Sequence, residues 1–183
     1  MTDAPTGFSA VLSLQEVPGV CNGDLTGVGC AETDGVGLGG NPNDLVNCFN
    51  VADFGGAAPF FVDQVRFFIG TSIPLPSSLS VRLFAASPSG LPVETPLLEE
   101  TVPNVVVGEN TFSLSSAFQV NTEELCVGVF AGNEIEGLRI RNEIGLGDQS
   151  FVRAPNCLFP TFSSLDAVGL PVRFCIEALV FGL

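Results

Sequence analysis

The chain has no lysine, histidine, tryptophan or tyrosine among its 183 residues, and only one methionine. Each absence excludes chemistry. Without histidine, neither a Ser-His-Asp nor a Cys-His nucleophile can be assembled, and the commonest general base and a principal zinc ligand are missing. Without lysine there is no Schiff-base catalysis and no phosphate-loop lysine. Basic charge is scarce as well: six arginines face 20 acidic residues, for a net charge of −14. Binding to DNA or RNA relies on clustered basic side chains that release counterions, so nucleic acid is excluded as a partner, and an anionic membrane surface is disfavoured. No apolar run reaches the ~18 residues that a membrane-spanning helix needs, because Pro, Gly or a charge interrupts each one. Carboxylate chemistry of the glycosidase type is what remains for catalysis. No such pair can be placed along the chain, and an enzyme is not expected.

The residues that are present give a chain both acidic and apolar: 46% hydrophobic, and only 14% charged where about 25% is usual. Its length suits a single domain over 1–183, with enough chain to bury a core. Six cysteines, Cys21, Cys30, Cys48, Cys126, Cys157 and Cys175, form an even set without a C-x-x-C pair. They read as three disulfides made in an oxidising compartment, which predicts an extracellular or cell-surface protein. Cys21 with Cys30 is the expected first pair, stapling one glycine-rich loop, and the pairing of the other four stays open. Free, buried thiols in a viral or cytosolic protein are the alternative. Met1-Thr-Asp-Ala-Pro5 is no signal peptide, so the secreted reading expects Met1 to stand where a signal was removed.

Helical periodicity is scarce, whereas short alternating stretches recur between turn residues. Phe8, Ala10, Leu12 and Leu14 share one face of an N-terminal strand within residues 1–17. Residues 18–44 are rich in Gly, Asn and Asp and read as one long loop. Further strands are expected near 45–54, 62–70, 79–85, 97–107, 110–114, 117–120, 124–131, 137–142, 149–154 and 172–181, with Gly108-Glu-Asn110 as a hairpin signal. In the last strand, Val172, Phe174, Ile176, Ala178 and Val180 alternate inward, and Arg173, Cys175 and Glu177 outward. The expectation is an all-β, antiparallel sandwich of jelly-roll kind.

The run Val81-Arg-Leu-Phe-Ala85, Ser89-Gly-Leu-Pro92, Glu109-Asn-Thr-Phe-Ser-Leu-Ser115, Phe118-Gln-Val120 and Leu125-Cys-Val-Gly-Val-Phe130 resembles secreted bacterial β-sandwich modules appended to surface proteins. The likeness covers residues 80–131. It implies an extracellular, non-catalytic module of structural or glycan-contacting role. The chain departs from the glycan-binding versions in lacking every Trp and Tyr, the side chains on which sugars stack.

Three sets of residues are candidates for function. Asp24, Asp34 and Asp44 in the acidic loop offer hard oxygen ligands of the kind calcium takes, although their spacing matches no EF-hand. Phe68 and Phe84 fall on the strand faces of Arg66 and Arg82, which alternation turns outward, so they would present apolar surface to a second subunit. The strand carrying Phe8, Ala10, Leu12 and Leu14 pairs either within its own sheet or, exchanged between subunits, in that of a neighbour. These features favour an extracellular structural subunit that self-associates into a homo-oligomer, filament or coat by strand addition, with calcium as the candidate ion. A glycan-binding surface module and a viral or phage jelly-roll coat protein are the alternatives.

Overall fold

The computed structural model describes residues 7–15, 18–21, 43–70, 79–132, 140, 142–144, 147–155 and 159–182. These contain β-strands and one short 3-10 helix, Val51–Phe54, but no α-helix. The strands are β1 (Ser9–Leu12), β2 (Asn43–Asn50), β3 (Phe60–Ile69), β4 (Leu79–Phe84), β5 (Leu98–Thr101), β6 (Gly108–Val120), β7 (Glu124–Ala131), β8 (Asn142–Ile144), β9 (Ser150–Ala154), β10 (Phe159–Ser164), β11 (Val172–Phe174) and β12 (Ile176–Gly182). All of the strand pairs are antiparallel.

A four-stranded sheet runs β1-β12-β3-β6, a six-stranded sheet runs β10-β9-β2-β7-β4-β5, and β8 and β11 form a separate ribbon. Leaving out β8–β11, the remaining eight strands split as first-last-third-sixth and second-seventh-fourth-fifth, the double Greek-key order of a jelly roll. The inner faces share one core, in which Leu45, Val81 and Val127 of the larger sheet pack with Val65, Phe67 and Ile176 of the smaller. Strand alternation produces this core: inward positions recur every second residue, and the sheets bury them against each other.

Asn47 is a buried polar residue of this interior. Its Nδ2 donates to the carbonyls of Phe174 (2.7 Å) and Ile176 (3.0 Å), and its Oδ1 accepts from Ser150 Oγ (2.7 Å). Those two carbonyls flank Cys175, where the expected 172–181 strand divides: β11 turns to β8, and β12 continues along β3. Two other boundaries also differ from expectation. The strands expected at 110–114 and 117–120 are one continuous β6, and the preceding turn closes before Gly108-Glu-Asn110: the Asn110 side chain bonds both the N–H and the C=O of Val106 (2.9 and 2.8 Å). Strand β10 was not expected because Pro160 interrupts it, which a strand at the edge of a sheet tolerates.

Part of each outward face is covered within the chain, which corrects the exposed reading of Phe68 and Phe84. Phe68 is buried with Cys21 and Cys175, and Phe84 is fully buried with Val46, Cys48, Cys126, Phe151 and Phe162. The segment 18–21 is held against the smaller sheet by the Cys21–Cys175 disulfide and by a hydrogen bond from Gly19 N to Glu177 Oε1 (2.8 Å). Glu177, read as facing solvent, is fully buried and paired with Arg66. The expected Cys21–Cys30 staple is therefore incorrect. Cys21 joins a residue 154 positions away, Cys48 joins its cross-strand neighbour Cys126, and Cys30 and Cys157 lie outside the described residues.

The N-terminal strand β1 pairs with β12 of its own chain. Leu12 is fully buried, Phe8, Ala10 and Leu14 pack against the same core, and the Phe8 ring occupies the space where a Cβ on Gly56 or Gly182 would stand. Leu12 therefore has no surface left for a neighbour, and Phe8, Ala10 and Leu14 are partly buried.

Replacing Cys21 and Cys175 together by Ser removes a long-range crosslink and the cover over Phe68. The expected cost is about 2–5 kcal/mol, read as a lower urea midpoint under non-reducing conditions. An unchanged midpoint would show that segment 18–21 contributes nothing to stability.

Candidate ligand-binding cleft

The outer face of the six-stranded sheet carries a charged row and an apolar row. In the charged row Asp44 of β2 is buried, and each of its carboxylate oxygens meets a different arginine. Arg82 Nη1 lies 2.8 Å from Oδ1, and Arg153 Nη2 lies 2.6 Å from Oδ2, with Arg153 Nε also donating at 3.0 Å. Arg82 reaches Asp44 across the intervening β7, its guanidinium 3.3 Å from the Phe130 ring centroid. Gly128 lies opposite both Val46 and Arg82 on this path. A Cβ there would stand 2.6 Å from Val46 Cγ2, so the position admits no side chain without a shift.

Two further carboxylates complete the row: Glu99 pairs with Arg82 (3.0 Å) and Glu94 with Arg153 (2.7 Å). Burial disfavours the charged form of Arg153, but the hydrogen bonds and charges of Asp44, and then of Glu94, outweigh it and raise its pKa above the ordinary arginine value. Arg153 is thus a fixed cation at any pH the fold meets.

Glu94 also ties down a roof. It belongs to the segment between β4 and β5, and its Oε1 accepts from Phe162 N of β10 (3.3 Å). β10 and β4 are four places apart in the sheet, yet the rings of Phe84 and Phe162 meet edge to face at 5.3 Å. The β9–β10 margin therefore bends over the outer face and meets the 85–97 segment above it.

The roof is incomplete at one end, leaving a cleft of about 290 Å³. Alternation places its floor: Cys48 and Asn50 of β2, Glu124 of β7 directly opposite Asn50, and Phe151 of β9. Ala86 and the 89–91 turn form one wall, and Asp148, Gln149 and Ser164 the other. The floor is apolar around Phe151 and the Cys48–Cys126 disulfide, and the rim carries hydroxyl, amide and carboxylate groups. Small-ligand sites combine these features.

Of the sequence-derived site residues, Asp44 is corrected from calcium ligand to arginine partner, because both of its oxygens are taken. Asp24 and Asp34 lie outside the described residues. Among the described residues no group of three or more His, Cys, Asp or Glu is placed to hold a metal ion, and no helix is long and apolar enough to cross a membrane. The arginine cluster and the cleft were not found from sequence. The one hint was the recurrence of Arg two positions before an outward Phe, at Arg66 and Arg82, of which only Arg82 belongs to the cluster.

No protein-family model and no curated protein sequence matches the chain. Solved structures of similar fold include the cysteine protease and lectin-like domains of Cwp84, a surface layer associated protein of Clostridium difficile. That likeness has a TM-score of 0.59 at 16% identity, over 78% of this chain and 33% of that one. A clostridial cysteine protease Cwp84 after propeptide cleavage gives a TM-score of 0.57 at 14% identity, over 80% and 38%. The chain thus spans about a third of the length of these proteins, and what it has in common with them is a fold.

Asp44→Asn leaves two poorly solvated guanidiniums sharing a neutral amide, and a loss of about 3–5 kcal/mol is expected. Glu99→Gln, at a half-exposed site, should cost no more than about 1 kcal/mol. Equal urea midpoints for the two variants would contradict the central role given to Asp44.

Proposed function

We propose that the protein is a non-catalytic, carbohydrate-binding module that works outside the cell or at its surface. The observation that carries this is the jelly-roll fold held in common with part of a surface-layer-associated protein whose chain includes a lectin-like domain. The match covers a third of that chain, and this reading takes the lectin-like part, rather than the protease, as the counterpart. The absence of histidine from the whole chain leaves no partner for a cysteine nucleophile. Two disulfides among the described residues favour an oxidising compartment over a reducing one, and so favour a secreted module over a coat protein with free thiols.

The cleft supplies a place for a sugar. Carbohydrates present apolar C–H faces and a periphery of hydroxyls, which the apolar Leu91 and Ala86 and the amide and hydroxyl rim complement without Trp or Tyr. The self-assembling reading has less support, because Phe68, Phe84 and Leu12 are buried within the chain itself.

A glycan array probed with the intact, oxidised protein, with and without calcium, tests the proposal. Binding to a defined set of glycans, abolished by Gln149→Ala combined with Ser164→Ala, is the expected result. A protein that binds no glycan in either condition would not be a carbohydrate-binding module.

A further inference from the structure

The charge of the cleft narrows the class of sugar, an inference that rests on the carbohydrate-binding reading above. Two rim residues, Glu124 and Asp148, are exposed carboxylates with no ion pair or side-chain hydrogen bond among the described residues. Among the described residues no arginine lines the cleft, and the described cations nearby on the same face, Arg82 and Arg153, are committed to Asp44, Glu94 and Glu99. The site is therefore anionic at neutral pH. A uronic acid, a sialic acid or a phosphorylated sugar would bring like charge into it, which opposes binding.

We infer that the cleft binds an amino sugar through its protonated amine. In this arrangement the ring's C–H face lies against Leu91 and Ala86, above the buried Phe151, and the ammonium donates to Glu124 or Asp148 in a charge-assisted hydrogen bond, stronger than a neutral one. The Asn50 and Gln149 amides and the Ser89 and Ser164 hydroxyls face the sugar hydroxyls. Asn50 Oδ1 already accepts from Ala52 N at 3.0 Å, so its Nδ2 is the group left to donate. A volume of about 290 Å³ lies at the low end of ligand sites, which run from roughly 300 to 1,000 Å³, and fits one or two rings rather than a long chain.

Geometry favours the amine over a divalent cation. Glu124 starts β7 and Asp148 precedes β9, on opposite sides of β2. Two strand spacings, roughly 10 Å, separate their backbones, and among the described residues no third Asp, Glu or Cys joins them as a metal-ligand group, whereas calcium takes six to eight oxygens. A sugar can span that width, with its amine at one carboxylate and a hydroxyl at the other.

The test is calorimetric titration of the oxidised protein with three disaccharides, of glucosamine, N-acetylglucosamine and galacturonic acid, each with calcium and with chelator. The glucosamine disaccharide should bind at least about tenfold more tightly than its acetylated counterpart, independently of calcium, and the uronate should not bind. The double substitution Glu124→Gln and Asp148→Asn should abolish that preference, while Asp63→Asn, an exposed position on the other sheet, should leave it intact. An unchanged urea midpoint in the double variant guards against loss of fold. The inference is overturned if the acetylated or acidic sugar binds as well as the amine, if binding requires calcium, or if the double variant keeps the preference. In each of those cases a glycan-array signal would leave the broader reading standing, whereas silence on the array and in all titrations would remove both.

Discussion

Asp44 accepts hydrogen bonds from two arginines that arrive from opposite sides of β2, one across β7 and one from the adjacent β9. A carboxylate removed from water is costly unless its oxygens are paired, and a half-paired one is worse than none. The relative positions of β4, β7, β2 and β9 are therefore coupled through a single side chain. Gly128 clears the path, Phe130 carries the guanidinium of Arg82, and Arg153 hands the constraint on to Glu94 and through it to the roof. The cleft exists because this roof stops short at one end of the sheet.

Much of the architecture was legible in the sequence, because period-two alternation is a direct imprint of a buried sheet face. The inward positions of β4 and β12 follow it residue by residue, and those of β3 do so from Val65 to Ile69, beyond a register shift between Val62 and Gln64. Alternation could not show what lies on the second face of a sheet. Phe68 and Phe84 sit beside arginines at positions that look solvent-facing, yet each is covered by a segment remote in sequence, Cys21 for one and Phe162 for the other. The arginines beside them are salt-bridged and largely buried, not solvated. Disulfide connectivity was hidden for the same reason: proximity in sequence suggested Cys21 with Cys30, but the fold brings Cys21 to the start of β12.

The site was less legible than the fold. Asn50, Glu124, Phe151 and Ser164 come from four strands and carry no common motif. Only the register that sets Asn50 against Glu124, and the bend of β10, bring them to one place. A carboxylate such as Glu124 reads in isolation as an edge charge. It gains meaning from its place on the rim of the cleft, where no cation among the described residues pairs with it.

The pairing of β1 with β12 also has a mechanical side. Ser9 lies opposite Phe181, so the two ends of the described fold stand together at one corner of the smaller sheet. Tension applied between them would open the β1–β12 ladder one hydrogen bond at a time, the weak direction for a sheet. The peeling would halt at the covalent link between Cys21 and Cys175. Load would then pass through sulfur rather than through the core, leaving the six-stranded sheet and its cleft intact while the outer strand gives way.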